Sequence, residues 1–336
     1  MLSPLPKAWY DGSLWPKLLV PFSALFYMIS RLRRWFICRY RQVEPKVTVI
    51  VVGNISVGGT GKTPLVIWLC EHLTEKGYRV GVVSRGYGGN APTYPYHLQA
   101  DSRAEEVGDE PLLIARRTGV PVVVGADRLA AIELLLHSTD VDLVISDDGL
   151  QHYRMGRHIE IAVIDGDRQL GNGLLLPAGP LRETSRRLSE VDFIIQNGGE
   201  LGTEAKGRYQ MLLEPDPPAP VDGKAEQVPI EQLGSLALAA GIGNPQRFFS
   251  LVTQLGGNVV KETPLADHCG FNPELLLQLQ GEAACLLVTE KDAVKCQSNG
   301  HVNLWYLPIS AQLPDHFLSQ LCDRINQEDR VNHVKR

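Results

Sequence analysis

A lysine and a threonine, Lys62 and Thr63, follow a glycine-rich stretch with the spacing of a site that binds nucleotide phosphates. Glycines let the backbone turn so that successive N–H groups face one point, where phosphate oxygens bind. The lysine then reaches the β- and γ-phosphates, and the threonine hydroxyl binds Mg²⁺. The strict pattern, G-x4-G-K-[ST], has glycine where this chain has Ser56, which is compatible with a turn. The predicted phosphate-binding residues are Ser56, Gly58, Gly59, Thr60, Gly61, Lys62 and Thr63.

The segments on either side of this stretch favour a functional loop. Residues 47–52 form an apolar, β-branched run that predicts a buried strand. From residue 65 apolar side chains recur at helical spacing, and a helix N-terminus adds partial positive charge where the phosphates would bind. A glycine-rich turn without function is the alternative, and the strand–loop–helix context argues against it.

Two adjacent acids end a second apolar strand. Residues 141–148 read VDLVISDD, so Asp147 and Asp148 come at the carboxyl end of that strand. In nucleotide-binding proteins of this type, a carboxylate in that position holds Mg²⁺. Adjacent side chains on an extended chain point to opposite sides, so we expect the two acids to have different roles. A solvated turn is the alternative, and the phosphate loop upstream favours the metal site.

Strands and helices alternate from residue 47 onwards, which predicts an α/β protein with a mostly parallel sheet covered on both faces. A proline-rich stretch within residues 197–234 predicts a linker or hairpin between two domains. We therefore expect a P-loop NTPase-like domain at residues 43–214 and a smaller α/β domain at 215–325. Residues 326–336 are expected to form a polar tail.

The N-terminal residues 1–42 predict an amphipathic helix. The apolar run is shorter than the ~20 residues that a membrane span needs, and basic residues follow it. A helix lying in the face of an anionic membrane is one interpretation, and a helix packed on the protein's own core is the other. The apolar residues at helical spacing are Phe22, Leu25, Phe26, Ile29, Leu32 and Phe36.

Charge and cysteine content limit the classes of function. The net charge of −5 argues against a general nucleic-acid-binding protein, so no nucleic-acid partner is expected. Residues 1–46 nevertheless hold eight Lys and Arg against two acidic residues, which indicates an anionic surface as partner for that segment. The six cysteines form no C-x-x-C pair, as is typical of a reduced cytosolic protein.

Eight motifs, taken together and in order, resemble one family. They are SVGGTGKTP, SRGYGG, VGDEP, DDGLQH, LPAGPLRE, AGIGNPQRFF, DHCGF and TEKDAVK. The chain is similar over about residues 14–310 to the tetraacyldisaccharide 4′-kinases of lipid A assembly. The resemblance implies phosphorylation, dependent on ATP and Mg²⁺, of the 4′-hydroxyl of a tetraacylated glucosamine disaccharide 1-phosphate. It also implies a peripheral or monotopic protein on the cytoplasmic face of the inner membrane of a Gram-negative bacterium.

The resemblance also implies roles for single residues. Asp109 matches the acid of a catalytic dyad, His268 its histidine from the smaller domain, and Asp267 the acid beside that histidine. Lys62 matches the γ-phosphate lysine and Thr63 the magnesium hydroxyl. Asp147 and Asp148 match acids of the family's metal and phosphate region, where Asp148 is also catalytic. Glu183 matches a possible further metal contact. The family's substrate region includes Gln151, His152 and Arg182.

Two other functions remain as alternatives. An ATP-driven positioning switch of the ParA/MinD type has a second lysine in its phosphate loop, at the position where this chain has Val57. Such a switch also needs no Asp-His motif far along the chain. A soluble P-loop kinase for a small metabolite is the second alternative, and it leaves the apolar and basic N-terminus unexplained.

Overall fold

The chain forms two compact units, neither of which is a continuous segment. The structure is a computed structural model that describes residues 4–200, 207–223, 225–266, 269–296 and 302–335. Unit 1 comprises Met1–Arg85, Val120–Leu213 and Ala311–Arg336, and unit 2 comprises Gly86–Gly119 and Glu214–Ser310. This division differs from the continuous domains expected from the sequence, because contacts rather than chain order define a compact unit.

The described residues contain short strands and helices that alternate along most of the chain. The strands are β1 (Thr48–Gly53), β2 (Val80–Ser84), β3 (Tyr96–His97), β4 (Val122–Val124), β5 (Leu143–Asp147), β6 (Ile159–Asp165), β7 (Phe193–Asn197), β8 (Arg208–Pro215), β9 (Ala219–Pro220), β10 (Ser235–Ala240), β11 (Asn258–Pro264), β12 (Cys285–Thr289), β13 (Leu304–Leu307) and β14 (Ile309–Gln312). The helices are α1 (Pro4–Ala8), α2 (Val20–Tyr40), α3 (Lys62–Glu75), α4 (Ala104–Val107), α5 (Asp109–Thr118), α6 (Arg128–Ser138), α7 (Pro245–Gln254), α8 (Pro273–Gln280), α9 (Glu290–Ala293) and α10 (Asp315–Lys335).

Unit 1 is built on a parallel sheet, as the sequence predicted. Its strands lie in the order β8-β7-β6-β1-β5-β2-β4, and neighbouring strands in this order are parallel. Every residue of β1 is buried, which explains its continuous β-branched sequence. Helix α6 starts at Asp127, whose carboxylate accepts hydrogen bonds from two N–H groups of the first turn. These elements place the end of β1 in the middle of the sheet.

Unit 2 has its own sheet and its own core. The strands lie in the order β11-β10-β12-β13-β9, parallel except for β9, which is antiparallel to β13. Phe248 and Phe249 of α7 pack on one apolar cluster, and Leu276 and Leu279 of α8 pack on another. The second α/β pattern of the sequence therefore corresponds to a separate hydrophobic core.

Helix α2 confirms the helix predicted near the N-terminus. Whether this helix contacts a membrane stays a prediction. Its Ser23 hydroxyl is buried and donates to the carbonyl of Leu175 at 2.8 Å. Most of its large apolar side chains are exposed, among them Phe22 at 61% and Leu32 at 63%. Among the helices that the structure describes, none is both long and apolar enough to span a membrane.

Two elements differ from the sequence interpretation. Strand β8 lies inside the stretch interpreted as a linker or hairpin. The residues expected to form a tail continue helix α10, which runs to Lys335. This helix is held by Phe317, a fully buried ring 5.7 Å from the ring of Trp68 and 5.0 Å from that of Tyr209. Contacts distant in sequence therefore stabilise a segment that appears polar by itself.

Candidate active site

The phosphate loop, residues 54–61, connects β1 to α3. Strand β1 lies between β5 and β6, and the connections from neighbouring strands run in opposite directions from this point of the sheet. Ligands of α/β folds usually bind at such a position, beyond the carboxyl ends of the strands. Gly58 has a φ angle of 103° and Gly61 one of 90°, values that favour glycine. A Cβ atom at Gly61 would also collide with the side chain of Asn197. The glycine spacing read from the sequence is therefore required by the backbone.

The loop presents unpaired N–H donors. Within the described part of the chain, no group accepts a hydrogen bond from the main-chain N–H groups of residues 58–63. Gly61, which precedes the first residue of α3, provides no side-chain cap for the helix. Unpaired donors at a helix N-terminus, next to left-handed glycines, fit the phosphate groups of a nucleotide.

The backbone conformation of Ser56 explains why this position does not need the glycine of the strict pattern. Among the described non-glycine residues, Asp148 and Gln169 have positive φ angles, and Ser56 is not one of them. Its backbone is extended enough to form a bridge with Leu181, and the next N–H, of Val57, donates to the carbonyl of Pro180 at 2.9 Å. Glycine is therefore not needed at this position.

Lys62, Asp148 and Arg182 form a charged cluster beside the loop. The Lys62 Nζ atom lies 3.4 Å from one Asp148 oxygen, and Arg182 Nη1 lies 3.5 Å from the other. Burial by itself raises the pKa of Asp148, but the charges of Lys62 and Arg182 outweigh it and lower the pKa. Asp148 is therefore an ionised group that orients two cations.

Asp147 and Asp148 have different surroundings, as their adjacency predicted. Asp148 has a φ angle of 49°, so the chain turns sharply after β5. Asp147 is buried and accepts a hydrogen bond from the Ser84 hydroxyl at 3.1 Å. The buried guanidinium of Arg128 donates to its main-chain carbonyl at 3.3 Å.

Glu183 lies in a dense hydrogen-bond network. One of its oxygens accepts from Gln151 Nε2 at 2.7 Å, and the other from the Tyr153 hydroxyl at 2.6 Å. The guanidinium groups of Arg34 and Arg187 lie 3.7 and 3.5 Å from the second oxygen. A metal role for Glu183 stays a prediction, and it requires one of these contacts to be exchanged.

The donor set beside the loop fits Mg²⁺ better than a metal held by protein ligands alone. Among the residues that the structure describes, no three His, Cys, Asp or Glu side chains gather into a metal site. Mg²⁺ is usually bound by one or two carboxylates together with substrate phosphates and water. Thr63 at the first turn of α3 and Asp147 at the end of β5 are hard oxygen donors on adjacent strand–loop connections.

His152 and Gln151 follow the paired acids on the same loop. Gln151 donates to the carbonyl of Asn54 at 3.0 Å and accepts from Arg182 at 3.3 Å. The His152 Nε2 atom is buried and has no hydrogen-bond partner among the described residues. Burial and next the charge of Arg128 lower the pKa of His152 to about 4. It is a neutral imidazole at pH 7, suited to a hydrogen bond with a sugar hydroxyl.

Asp109 lies in unit 2, at the start of α5. It is 5% exposed, and Lys295 Nζ lies 3.8 Å from its Oδ2 atom. The same ammonium group lies 2.7 Å from Asp292, which is fully buried. Asp292 also accepts from the N–H of Gly241 at 2.8 Å and from the Thr289 hydroxyl at 2.7 Å. His268 and Asp267 lie outside the described residues, so the dyad with His268 stays a prediction.

The chain matches a known family of kinases. The family model "LpxK: Tetraacyldisaccharide-1-P 4′-kinase" matches residues 15–326. The chain belongs to the LpxK family. A tetraacyldisaccharide 4′-kinase of Aeromonas hydrophila is 49% identical over 328 residues, which are 96% of each chain. Another, of Shewanella frigidimarina, is 48% identical over 96% of this chain and 95% of its own.

A solved LpxK structure has the same fold. The crystal structure of LpxK from Aquifex aeolicus in complex with ATP superposes with a TM-score of 0.78 at 30% identity. It covers 93% of this chain and 99% of the Aquifex chain. The α/β architecture expected from the sequence is thereby confirmed for nearly the whole chain.

Several residues of the site were not singled out in the sequence. Arg128 and Tyr153 contact Asp147 and Glu183, and Lys295 lies beside Asp109. Of these, Lys295 had a signal, because it ends the TEKDAVK motif to which no role was given. Arg128 and Tyr153 stand in ordinary helical and loop sequence, and their partners are known only from the folded chain.

Proposed function

We propose that this protein transfers the γ-phosphoryl group of ATP to the 4′-hydroxyl of a tetraacylated glucosamine disaccharide 1-phosphate, a step of lipid A biosynthesis. The observation that supports this most directly is the phosphate loop with its unpaired N–H groups, in a chain of the LpxK family. In the reaction the 4′-oxygen bonds to the γ-phosphorus, the bond to the bridging oxygen breaks, and ADP leaves. The hydroxyl proton needs an acceptor in the protein.

The residues beside the loop have distinct parts in this proposal. The N–H groups of residues 58–63 bind the phosphates, and Lys62 reaches the γ-phosphate from its position next to Asp148. Thr63 and Asp147 are the groups that would hold Mg²⁺. When bound, this ion neutralises charge on the phosphoryl oxygens. Asp148 keeps Lys62 and Arg182 oriented, so the cations are in place before the substrate binds.

The groups that act on the sugar hydroxyl are proposed as follows. Asp109, with His268 as its partner, receives the proton of the 4′-hydroxyl. Lys295, 3.8 Å from Asp109, favours the ionised carboxylate that a proton acceptor must be. His152, which is neutral, Gln151 and the cation Arg182 are proposed to bind the disaccharide. Sugar hydroxyls need neutral hydrogen-bonding partners, and a phosphate needs a cation.

The protein is proposed to bind the cytoplasmic face of the inner membrane through α2, peripherally or monotopically. The substrate carries four acyl chains and stays in the bilayer, so the enzyme must reach the membrane surface. Phe22 is 61% exposed and Leu32 63%, values that a helix packed on the protein's own core would not have. Arg31 and Arg33 are exposed on the same helix, which suits an anionic surface.

Lys62→Ala tests the phosphate assignment. We expect transfer of labelled γ-phosphate from ATP to the disaccharide lipid to fall by roughly a thousandfold or more, because a charge that stabilises the transferring group is lost. Arg79→Ala is the control, since Arg79 pairs with Asp140 and Asp142 away from the loop. Near-normal transfer by folded Lys62→Ala would refute the assignment, and ATP hydrolysis independent of lipid would favour a positioning switch instead.

A triple substitution tests the membrane proposal. Leu18→Ser, Phe22→Ser and Leu32→Ser together should abolish cosedimentation with vesicles of phosphatidylglycerol and phosphatidylcholine. The matched control is Val260→Ser with Leu277→Ser, which removes apolar side chains that are 58% and 47% exposed in unit 2. The proposal is wrong if the triple variant sediments as the unsubstituted protein does.

A further inference from the structure

Three consecutive carbonyl groups of the phosphate loop, those of residues 58–60, each accept a hydrogen bond from a different side chain. Asn54 Nδ2 donates to the first at 3.3 Å. The guanidinium of Arg168 donates to the second. Asn197 Nδ2 donates to the third at 3.2 Å. We call Asn54, Arg168 and Asn197 the carbonyl clamp.

The three clamp side chains come from separate elements and are themselves held. Asn54 directly follows β1 and is fully buried. Arg168 follows β6, and its guanidinium is fixed by two contacts with Asp165, at 3.0 Å from Nε and 2.8 Å from Nη2. Asn197 is the last residue of β7 and is 5% exposed. The two asparagines are thus fixed parts of the sheet edge that carries the loop, and Arg168, although partly exposed, is held by Asp165.

The clamp determines where the loop N–H groups point. A trans peptide unit is planar, and its C=O and the N–H of the next residue point in opposite directions. Holding the carbonyls of residues 58–60 on one side therefore turns the N–H groups of residues 59–61 to the other. These are N–H groups for which no acceptor exists in the described chain. Glycine peptides flip easily, so an unheld loop would also present carbonyl oxygens, which repel phosphate.

We propose that Asn54, Arg168 and Asn197 are positioning residues that hold the loop in its nucleotide-binding form before the nucleotide arrives. They act through the loop backbone and do not touch the reacting atoms. Preorganisation of this kind lowers the free-energy cost of binding. The inference rests on the proposed function only in that the loop binds ATP.

Binding of ATP and ADP to the full-length protein tests the clamp. We expect Asn197→Ala, by calorimetry, to raise the Kd of both nucleotides roughly tenfold, because a peptide that turns freely must be reordered on binding. The Kd of ATP and the Kd of ADP should rise by the same factor, since the loop N–H groups bind the phosphates that the two nucleotides share. The turnover at saturating ATP and the KM of the lipid should change less than about twofold, a pattern that general destabilisation would not give.

Arg168→Ala provides a second variant. The Arg168 side chain is 39% exposed, and its buried partner Asp165 keeps hydrogen bonds from the main-chain N–H groups of residues 167 and 168. The ATP affinity of this variant should also fall, and the loss should persist at high salt, where simple charge attraction is screened. Arg79→Ala, another exposed arginine with acidic partners, should bind ATP normally.

Folding of each variant is checked by hydrogen exchange of β1 and β7. The inference is overturned if folded Asn197→Ala binds both nucleotides as the unsubstituted protein does, or if its loss is confined to ATP. If Asn197→Ala does not fold, Arg168→Ala decides: normal ATP affinity overturns the clamp. If the unsubstituted protein fails to bind ATP, the proposed function itself is refuted.

Discussion

Removing the ammonium group of Lys295 should destabilise unit 2 much more than removing that of Lys291. Both lysines belong to the same motif, and each forms an ion pair of 2.7 Å, Lys295 with Asp292 and Lys291 with Glu110. The pairs differ in burial: the side chains of the first are 4% and 0% exposed, those of the second 21% and 29%. The two pairs thus have the same distance and the same basic residue but differ in burial, and Lys295 has Asp109 as a further neighbour at 3.8 Å.

The expected magnitudes follow from that difference. Lys295→Met leaves the Asp292 carboxylate buried without its cation, which costs about 3–5 kcal/mol in other proteins. Asp292 retains two donors, from Gly241 and Thr289, so we expect about 3 kcal/mol. Lys291→Met breaks a partly exposed pair and should cost about 1 kcal/mol or less.

Hydrogen exchange of peptides from β10 and β12 measures the free energy of unfolding of unit 2 in the full-length protein. A third variant, Lys295→Met with Asp292→Asn, should be more stable than Lys295→Met alone, because the Asp292 charge is removed together with its cation. The reasoning is refuted if Lys295→Met and Lys291→Met destabilise β10 and β12 equally, or if the double substitution is worse than the single one.

Two further predictions concern the predicted dyad and the pH dependence of stability. Asp109→Asn and His268→Ala should each lower kcat by a large factor, while the double variant should be little worse than the poorer single one; multiplicative losses would argue against a coupled pair. His152 has a pKa of about 4 in the folded protein against about 6.5 when unfolded, so the unfolded chain binds the proton first as pH falls. The stability that neutral His152 contributes is complete above pH ~6.5 and is lost towards pH 4. We therefore expect the free energy of unfolding of His152→Asn, measured in urea, to depend less on pH between those values. An unchanged slope would show that another group titrates there.

Local features of the site were predictable from the sequence, because neighbouring residues determine them. The strand before the phosphate loop was predicted within one residue of β1, and the helix after it was predicted from three residues after the start of α3. Asp147 and Asp148 were expected to point to opposite sides of a strand. Their surroundings do differ, but Asp148 lies just beyond β5 with a φ angle of 49°, and their separate roles stay a prediction. The apolar pattern of residues 1–42 predicted α2, although its membrane contact stays a proposal.

Features that depend on distant segments were not predictable in this way. Helix α10 was not predicted, although Phe317, Leu321 and Ile325 recur at helical spacing; that Phe317 has partners on α3 and β8 is known only from the folded chain. Residues 86–119 belong with unit 2, although the chain enters them directly from a strand of unit 1. The partners of Glu183 and Asp109 likewise come from other loops and helices.

The amino-acid sequence alone determined that this chain has a phosphate loop, an α/β alternation and the motifs of one kinase family, since each is a pattern of near neighbours. Only the tertiary structure decided which side chains hold that loop. Strand order in a parallel sheet is set by crossover connections, so the ends of β1, β6 and β7 become neighbours although about 140 residues separate the first from the last. Asn54, Arg168 and Asn197 meet there for that reason.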